Sequence, residues 1–405
     1  MSGGFGETDG GAPDLANSGE ILSMIATGAA WSRAALLDGS GLSRATVAQR
    51  LNALIASGLV RQTARTAAKR GRPTYVLAIN EIAGFVLTAN IGEAYVQLAA
   101  IDLGLNIVAD ATIPFRAAEG PADTLQHLAV AFSALLERAR ATHRLLLGIG
   151  LSLPTPVDFK RGRVVGPSVL PGWDEFAIQE FLGERFAVPV YVENDVNLMA
   201  IHEHREHFPS VDDLVFVKAG TGIGSGIIAN GRIYRGAQGA AGDVGHIQLT
   251  SADAPLCRCG KLGCVEAHAA GWAIARDLSQ MGIPAANARD VIDLVDKQRP
   301  EAIMLLRKAG RVIGEAVSDI VSLLNPAAIV VGGTLARGGE FLLSGIRELV
   351  YQRCLPLATR ELRIMAVASP EHGPILGAAR LVLDDLFSPA KVDQLIARFD
   401  PARAA

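Results

Sequence analysis

Cys257-Arg258-Cys259-Gly260-Lys261-Leu262-Gly263-Cys264 puts three thiols in one short loop, and His246 of Asp243-Val244-Gly245-His246 stands just upstream. Zinc takes four soft or borderline ligands in a tetrahedron, and three cysteines with one histidine form a common structural set. The glycines let the loop fold back so that three sulfurs face one ion. The competing reading is reduced thiols in a buried turn. In an intracellular chain, clustered cysteines fit a metal better than a disulfide. No helix-borne histidine pair follows, so a nucleic-acid-binding zinc finger is not expected. Cys354 lies far away among apolar residues and reads as core.

Working outward, 405 residues allow two or three domains with sizeable cores. Half the residues are hydrophobic, few are aromatic and glycine is abundant, which suits an α/β protein rich in alanine, leucine and valine. No apolar run is long enough to span a bilayer. Residues 1–17 lack the basic start and apolar stretch of a signal peptide, so a disordered head and a cytoplasmic location are expected, with no membrane partner.

Charge is unevenly spread. Between Trp31 and Val76 the basic residues are Arg33, Arg44, Arg50, Arg61, Arg65, Lys69, Arg70 and Arg72, against Asp38 alone. That segment carries +7 and the rest of the chain −10. A small basic module on an acidic body is the footprint of a nucleic-acid-binding domain; the alternative is a solvated basic surface.

The local pattern supports the first reading. Residues 20–27 form a short helical pattern, and Ser32 can cap a second short helix through Leu37. Gly39-Ser40-Gly41 reads as a turn. Ser43 caps a longer helix to about Ser57, with Val47, Leu51, Leu54 and Ile55 on one face. Arg44, Thr46, Gln49 and Arg50 are expected opposite, able to donate to phosphates and base edges. Residues 59–61 and 75–77 read as two strands around the cationic tip Lys69-Arg70-Gly71-Arg72-Pro73. The whole predicts a winged helix-turn-helix whose tip, Arg70 and Arg72 included, tracks the DNA backbone or enters a minor groove.

Beyond Asn80 two similar sets of strands appear, at residues 84–90, 95–102 and 106–114, and at 213–218, 224–229 and 232–234. Asn230-Gly231 is a hairpin turn. Residues 147–153, 188–192 and 328–331 are apolar runs suited to buried parallel strands, and helices are expected at 123–140 and 302–324. Two similar α/β halves with a ligand cleft between them is the economical reading.

Gly220-Thr221-Gly222-Ile223-Gly224 could cradle phosphate or be a plain hairpin turn, and Gly332-Gly333 could let a nucleotide approach the backbone. In Glu193-Asn194-Asp195, Asp195 could take a proton from a ligand hydroxyl or cap the next helix. Asn194 can hold neighbouring hydroxyls. His202, His204 and His207 on that helix read as a solvated face.

The ordered set resembles the ROK family (repressors, open reading frames, kinases). It comprises Gly71-Arg72-Pro73, Pro154-Thr155-Pro156-Val157-Asp158, Leu170-Pro171-Gly172-Trp173, Asn194-Asp195, Gly220 to Gly224, Gly245-His246, the three-cysteine loop, Gly332-Gly333 and Gly377-Ala378-Ala379. The resemblance covers residues 17–386. It implies an actin/hexokinase-like two-lobed ATPase fold of the ribonuclease H-like kind, behind the winged helix-turn-helix. It also implies a sugar site at Asn194, Asp195, Asp243, His246 and Glu266, with Asp195 as the base that the family's kinases use. Zinc on His246, Cys257, Cys259 and Cys264 would brace the pocket. A nucleotide, if any, would meet Gly220, Thr221, Gly222, Gly332 and Gly333.

Departures set the functional expectation. Where the family's kinases carry Asp-x-Gly-Gly-Thr, this chain has Asn90-Ile91-Gly92-Glu93-Ala94, which removes one carboxylate and adds another where phosphates would lie. Asp243 replaces the usual Glu, and Val169 a usual Asn. ATP and magnesium are therefore not expected. The leading expectation is a sugar-responsive regulator binding operator DNA as a homodimer or homotetramer, with residues from Asp384 and the helix from Ala302 as candidate dimer surfaces. The alternative is an ATP-dependent, glucokinase-like sugar kinase that also binds DNA. The expected layout is a tail at 1–16, the winged domain at 17–80, the kinase-like domain at 81–390 with its zinc loop at 246–264, and a tail at 391–405.

Overall fold

The computed structural model describes residues 18–28, 30–65, 74–92, 94–116, 119–142, 145–166, 170–250, 254–368 and 372–399. Arg70 and Arg72 of the wing tip, Glu93 and Val169 lie outside the described residues.

Three helices open the chain: α1 (Ser18–Ala26), α2 (Arg33–Ser40) and α3 (Arg44–Ala56). Ser32 and Ser43 cap α2 and α3, each side chain accepting from the N–H three residues on, at Ala35 and Thr46. The turn expected at Gly39-Ser40-Gly41 is shorter than its composition suggested. Gly39 and Ser40 complete α2, and Gly41 alone takes the left-handed conformation that ends it. Strands β1 (Val60–Arg65) and β2 (Thr74–Ile79) pair antiparallel as the wing.

Arg50 departs from its expected exposed position and is buried. It lies i+3 from Val47 and i−4 from Leu54, on the apolar stripe of α3, whereas Arg44 and Gln49 stand exposed.

The body begins with the meander β3 (Gly84–Ile91), β4 (Tyr95–Asp102) and β5 (Ile107–Pro114), followed by α4 (Gly120–Arg140) and β6 (Leu145–Leu153). A small hairpin, β7 (Val157–Asp158) and β8 (Arg163–Val164), leads through α5 (Ile178–Phe186) to β9 (Val190–Asn194) and α6 (Asp195–His207). The pattern then repeats with β10 (Leu214–Ala219), β11 (Ile223–Ala229) and β12 (Arg232–Tyr234). Helices α7 (Val265–Ala269), α8 (Gly271–Gln280), α9 (Ala288–Asp296) and α10 (Pro300–Leu324) precede β13 (Ala328–Gly332). Then follow α11 (Glu340–Arg353), α12 (Pro356–Thr359), β14 (Arg363–Ala366), α13 (Gly373–Leu386) and α14 (Val392–Arg398).

Both sheets have five strands in equivalent orders, β5-β4-β3-β6-β9 and β12-β11-β10-β13-β14. In each, three strands run antiparallel and two more join in parallel through helical crossovers. This duplicated ribonuclease H-like topology is the actin/hexokinase-like architecture. It sets the carboxyl ends of β9, β10 and β13 around one cleft, where such folds hold ligands. Among the described residues no helix is long and apolar enough to cross a membrane.

Helix α6 packs against β10 and β11 on one side and against α13 on the other. His202 and His204 are consequently buried rather than solvated, and only His207 is exposed. Burial lowers the His202 imidazole from 6.5 to about 4, with the nearby Arg380 guanidinium adding to the shift. Between those values the unfolded chain binds the proton and the folded chain does not. His202 therefore leaves stability intact above about 6.5 and removes up to about 3 kcal/mol as pH falls to 4. His202→Gln is expected to shrink the difference between melting temperatures at pH 7 and pH 5. An undiminished difference would assign the acid sensitivity elsewhere.

The segment from 391, expected as a tail, instead folds through 399 as α14 and its cap, with Val392, Leu395 and Ile396 of the helix and Phe399 after it buried. They share one hydrophobic cluster with Ile21, Leu22 and Ile25 of α1 and with Val382, Leu383 and Leu386 of α13. The winged module is thus joined to the body through a continuous core.

Candidate functional site

At the end of β9 the chain turns sharply into α6, and this turn places three polar residues in a row. Glu193 is buried and accepts from the Asn194 N–H (2.9 Å), Asn197 Nδ2 (2.9 Å) and Arg235 Nε (2.6 Å). Asn194 caps α6: its Oδ1 accepts from the Val196 N–H at 3.1 Å while its Nδ2 donates to the Thr155 carbonyl at 3.0 Å. The cap is thus Asn194, and Asp195 is the first residue of the helix, where the dipole favours its negative charge.

Asp195 is buried and ion-paired: Oδ2 meets the ammonium of Lys218 from β10. Arg235, just beyond β12, stacks its guanidinium 3.9 Å from the centre of the Phe159 ring, which sits in the turn between β7 and β8. Glu193 and Asp195 therefore each meet a cation from the second sheet's side of the cleft.

The glycine turn is a tight hairpin between β10 and β11, closed by the Gly220 N–H to the Gly222 carbonyl. Glu266 is buried and holds this turn in place, accepting from the Ile223 N–H at 3.1 Å and from Trp272 Nε1 at 3.4 Å. A Cβ on Gly222 would lie 2.8 Å from Glu266 Oε2, so a larger residue there would push the carboxylate aside. Asp243 is exposed at the start of the turn leading to His246. Gly245 presses that turn onto β11, where a Cβ would meet the Ile223 carbonyl oxygen at 2.1 Å. Gly332, at the end of β13, lies in register with Lys218, and Gly333 follows it at φ +89°.

Asn90, next to last in β3, carries a neutral amide, and its Oδ1 accepts from Ser152 Oγ at 2.7 Å. Across the cleft mouth, Arg289 of α9 donates to the Tyr95 hydroxyl and lies 5.0 Å from that ring's centre. No local motif announces Arg289, Lys218 and Arg235, since each acts through a partner distant in sequence. Lys218 had one local sign, a lone charge closing the apolar run Leu214-Val215-Phe216-Val217.

The ligand atoms of His246, Cys257, Cys259 and Cys264 all lie within 4.8 Å of one another. Cys259 Sγ is 3.7 Å from Cys264 Sγ, and Cys257 Sγ is 3.7 Å from His246 Nδ1. Sulfurs around 2.3 Å from a tetrahedral zinc sit about 3.8 Å apart, so the donor set fits zinc in both chemistry and spacing. All four positions are filled by protein atoms, as in structural rather than catalytic sites. Zinc bound there would supply cross-linking and no Lewis-acid chemistry at the cleft. Cys264 also caps α7, two residues before Glu266.

Fold and site together define a sugar-kinase-like body headed by a winged helix-turn-helix. The chain matches the model of the ROK family over residues 86–385 and belongs to that family. It is 26% identical over 377 residues to the xylose repressor of Bacillus spizizenii, covering 92% of this chain and 96% of that protein. It is 29% identical over 284 residues to the glucokinase of Halalkalibacterium halodurans, covering 66% of this chain and 85% of that one. Among solved structures, a ROK family transcriptional regulator homologous to the E. coli MLC protein superposes with a TM-score of 0.81. The match covers 95% of this chain and 99% of that one at 24% identity, and it supports the fold, winged module included.

Proposed function

We propose that this chain is a sugar-responsive transcriptional regulator, a repressor of carbohydrate-metabolism genes. The winged module holds operator DNA and the cleft binds a sugar at Asn194, Asp195, Asp243, His246 and Glu266. The observation that carries this reading is that Asn194, Asp195 and Glu266 keep their places at the strand ends while the phosphate region has a neutral amide at Asn90 and the Asp195 carboxylate is paired with Lys218. Phosphoryl transfer uses a positioned metal and a base; the Asn90 amide offers no charge to a metal shell, and Lys218 competes for the Asp195 carboxylate.

Sugar binding at the head of α6 has a route to the DNA-binding end. Helix α6 packs along α13, α13 leads into α14, and α14 shares a core with α1. A ligand that prefers one lobe arrangement shifts the position of the winged module through this chain of contacts. One winged module reads a half-site, so the working form is a homodimer or larger even-numbered oligomer. Leu323, Leu355 and Leu357 stand exposed near the ends of α10 and α11, apolar surface of the kind that subunits bury.

The test is fluorescence anisotropy on the chain's own upstream DNA at fixed salt, titrated with xylose, glucose and other free sugars. Wild-type protein is expected to bind, and one sugar to change the affinity. Arg44→Ala is expected to weaken binding about tenfold and to flatten the salt dependence by about one counterion. Indifference to that DNA at low salt and to every sugar would overturn the proposal.

A further inference from the structure

Strand β10 alternates between two environments. Val215, Val217 and Ala219 face the core shared with α10 and α11. Leu214 and Phe216 face α6, packing with Val196, Met199 and Ala200. Lys218 continues that second row, so an ammonium stands where the pattern calls for an apolar side chain. Its neighbours across the sheet are Gly224 on β11 and Gly332 on β13, which leave the lysine stem free to lean into the cleft.

The stem runs past the glycine turn, with Cε 3.7 Å from where a Cβ on Gly220 would lie, and the ammonium reaches Asp195 Oδ2. Side-chain exposure is 24% for Lys218 and 11% for Asp195. Taking both charges out of water is costly and adds little net stability. Asp195 also gains from its place at a helix N-terminus, so the lysine is not its sole stabilisation. A largely buried ion pair at the strand ends, in a row whose other members are apolar, points to recognition.

We infer that Lys218 is a ligand-positioning residue of the cleft: the Lys218–Asp195 pair reads one sugar hydroxyl as a single donor–acceptor unit. The ammonium donates to the hydroxyl oxygen and the free Asp195 oxygen accepts its proton as a hydrogen bond, without removing it. The sugar is thereby bound and released unchanged, as a sensor requires. This rests on the sugar-sensor reading above.

The test is a double-mutant cycle on the full-length, zinc-loaded protein. Lys218→Met, Asp195→Asn and the double variant are titrated calorimetrically with xylose, glucose and a panel of free pentoses, hexoses and N-acetylhexosamines. Lys218→Arg serves as the conservative rescue, and melting temperature and zinc content check folding. Each single variant is expected to lose roughly tenfold in affinity for the sugar that wild type binds, and the double variant to lose no more than either, as for one unit. Lys218→Arg is expected to recover part of the loss. Unchanged affinity in Lys218→Met, or losses that multiply in the double variant, would overturn the inference while leaving the sensor reading intact. Failure of wild-type protein to bind any of these sugars would remove the sensor reading, and the role of Lys218 with it.

Discussion

A chain truncated after Lys391 is expected to lose the stability of its winged module while keeping its zinc-bearing body. The deletion removes Val392, Leu395, Ile396 and Phe399, each almost fully buried, and uncovers Ile21, Leu22 and Ile25 on α1. Burying one such side chain contributes about 1.5–3 kcal/mol, but releasing the helix returns backbone entropy at about 1–2 kcal/mol per residue. The balance is tipped by what stays behind. An apolar groove on α1 is left facing water, and the Leu146 and Leu147 carbonyls lose the Arg398 guanidinium that donates to them at 2.7 and 3.0 Å. The net loss is expected to be on the order of 3–5 kcal/mol, a large share of an ordinary domain's stability. Limited proteolysis would then cut within residues 18–65 first, and DNA affinity would fall at least in proportion to the unfolded fraction. Leu395→Ala should give a graded version of the same effect, about 2–4 kcal/mol. A truncated chain that melts as the full chain does would show that α1 docks on the body without α14.

What was legible beforehand follows from which signals are local. The strand pairs, the Asn230-Gly231 turn and the cysteine loop were readable because each is set by residues within a few positions of one another. Ser32 and Ser43 were readable as caps for the same reason. Helical periodicity tells which residues of α6 share a face but not that α13 covers the second face, which is what buries His202 and His204. Closeness to the helix start suggests an exposed Arg50, whereas its i+3 spacing from Val47 puts it on the buried stripe. The pairs Lys218–Asp195, Arg235–Glu193 and Arg289–Tyr95 join segments separated by 23, 42 and 194 positions, and no local pattern announces them. Helix α14 was missed because a short segment with only four apolar residues becomes a helix chiefly through the groove it fills.

Cys264→Ser is expected to abolish the sugar response while sparing DNA binding. Cys264 is fully buried and does two things at once: it presents one of four zinc ligands, and it starts the helix that carries Glu266. Glu266 in turn fixes the glycine turn through the Ile223 N–H, so the metal site and the sugar cleft share one rigid connection. Without a cation, burial pushes the Cys264 thiol up to about 12 and raises Cys257, while hydrogen bonds, that of the Lys261 backbone first, outweigh burial and lower Cys259. Three thiolates therefore persist only with a metal among them, and zinc competes with protons for the site. Removal by a chelator should accordingly be faster at pH 6 than at pH 8. The serine variant is expected to fall from about one zinc per chain to near none, and sugar affinity to drop by about 10–100-fold, as when the support of a ligand group is lost. DNA affinity without sugar should stay within about twofold, because α3 and the metal loop share no core and surface contacts alone rarely couple so far. Elemental analysis and the anisotropy titration read the two effects separately. Were the zinc-free variant to release DNA at the wild-type sugar concentration, the loop would be a local staple with no part in the sensor, and Glu266 would have to be held by Trp272 and the turn alone.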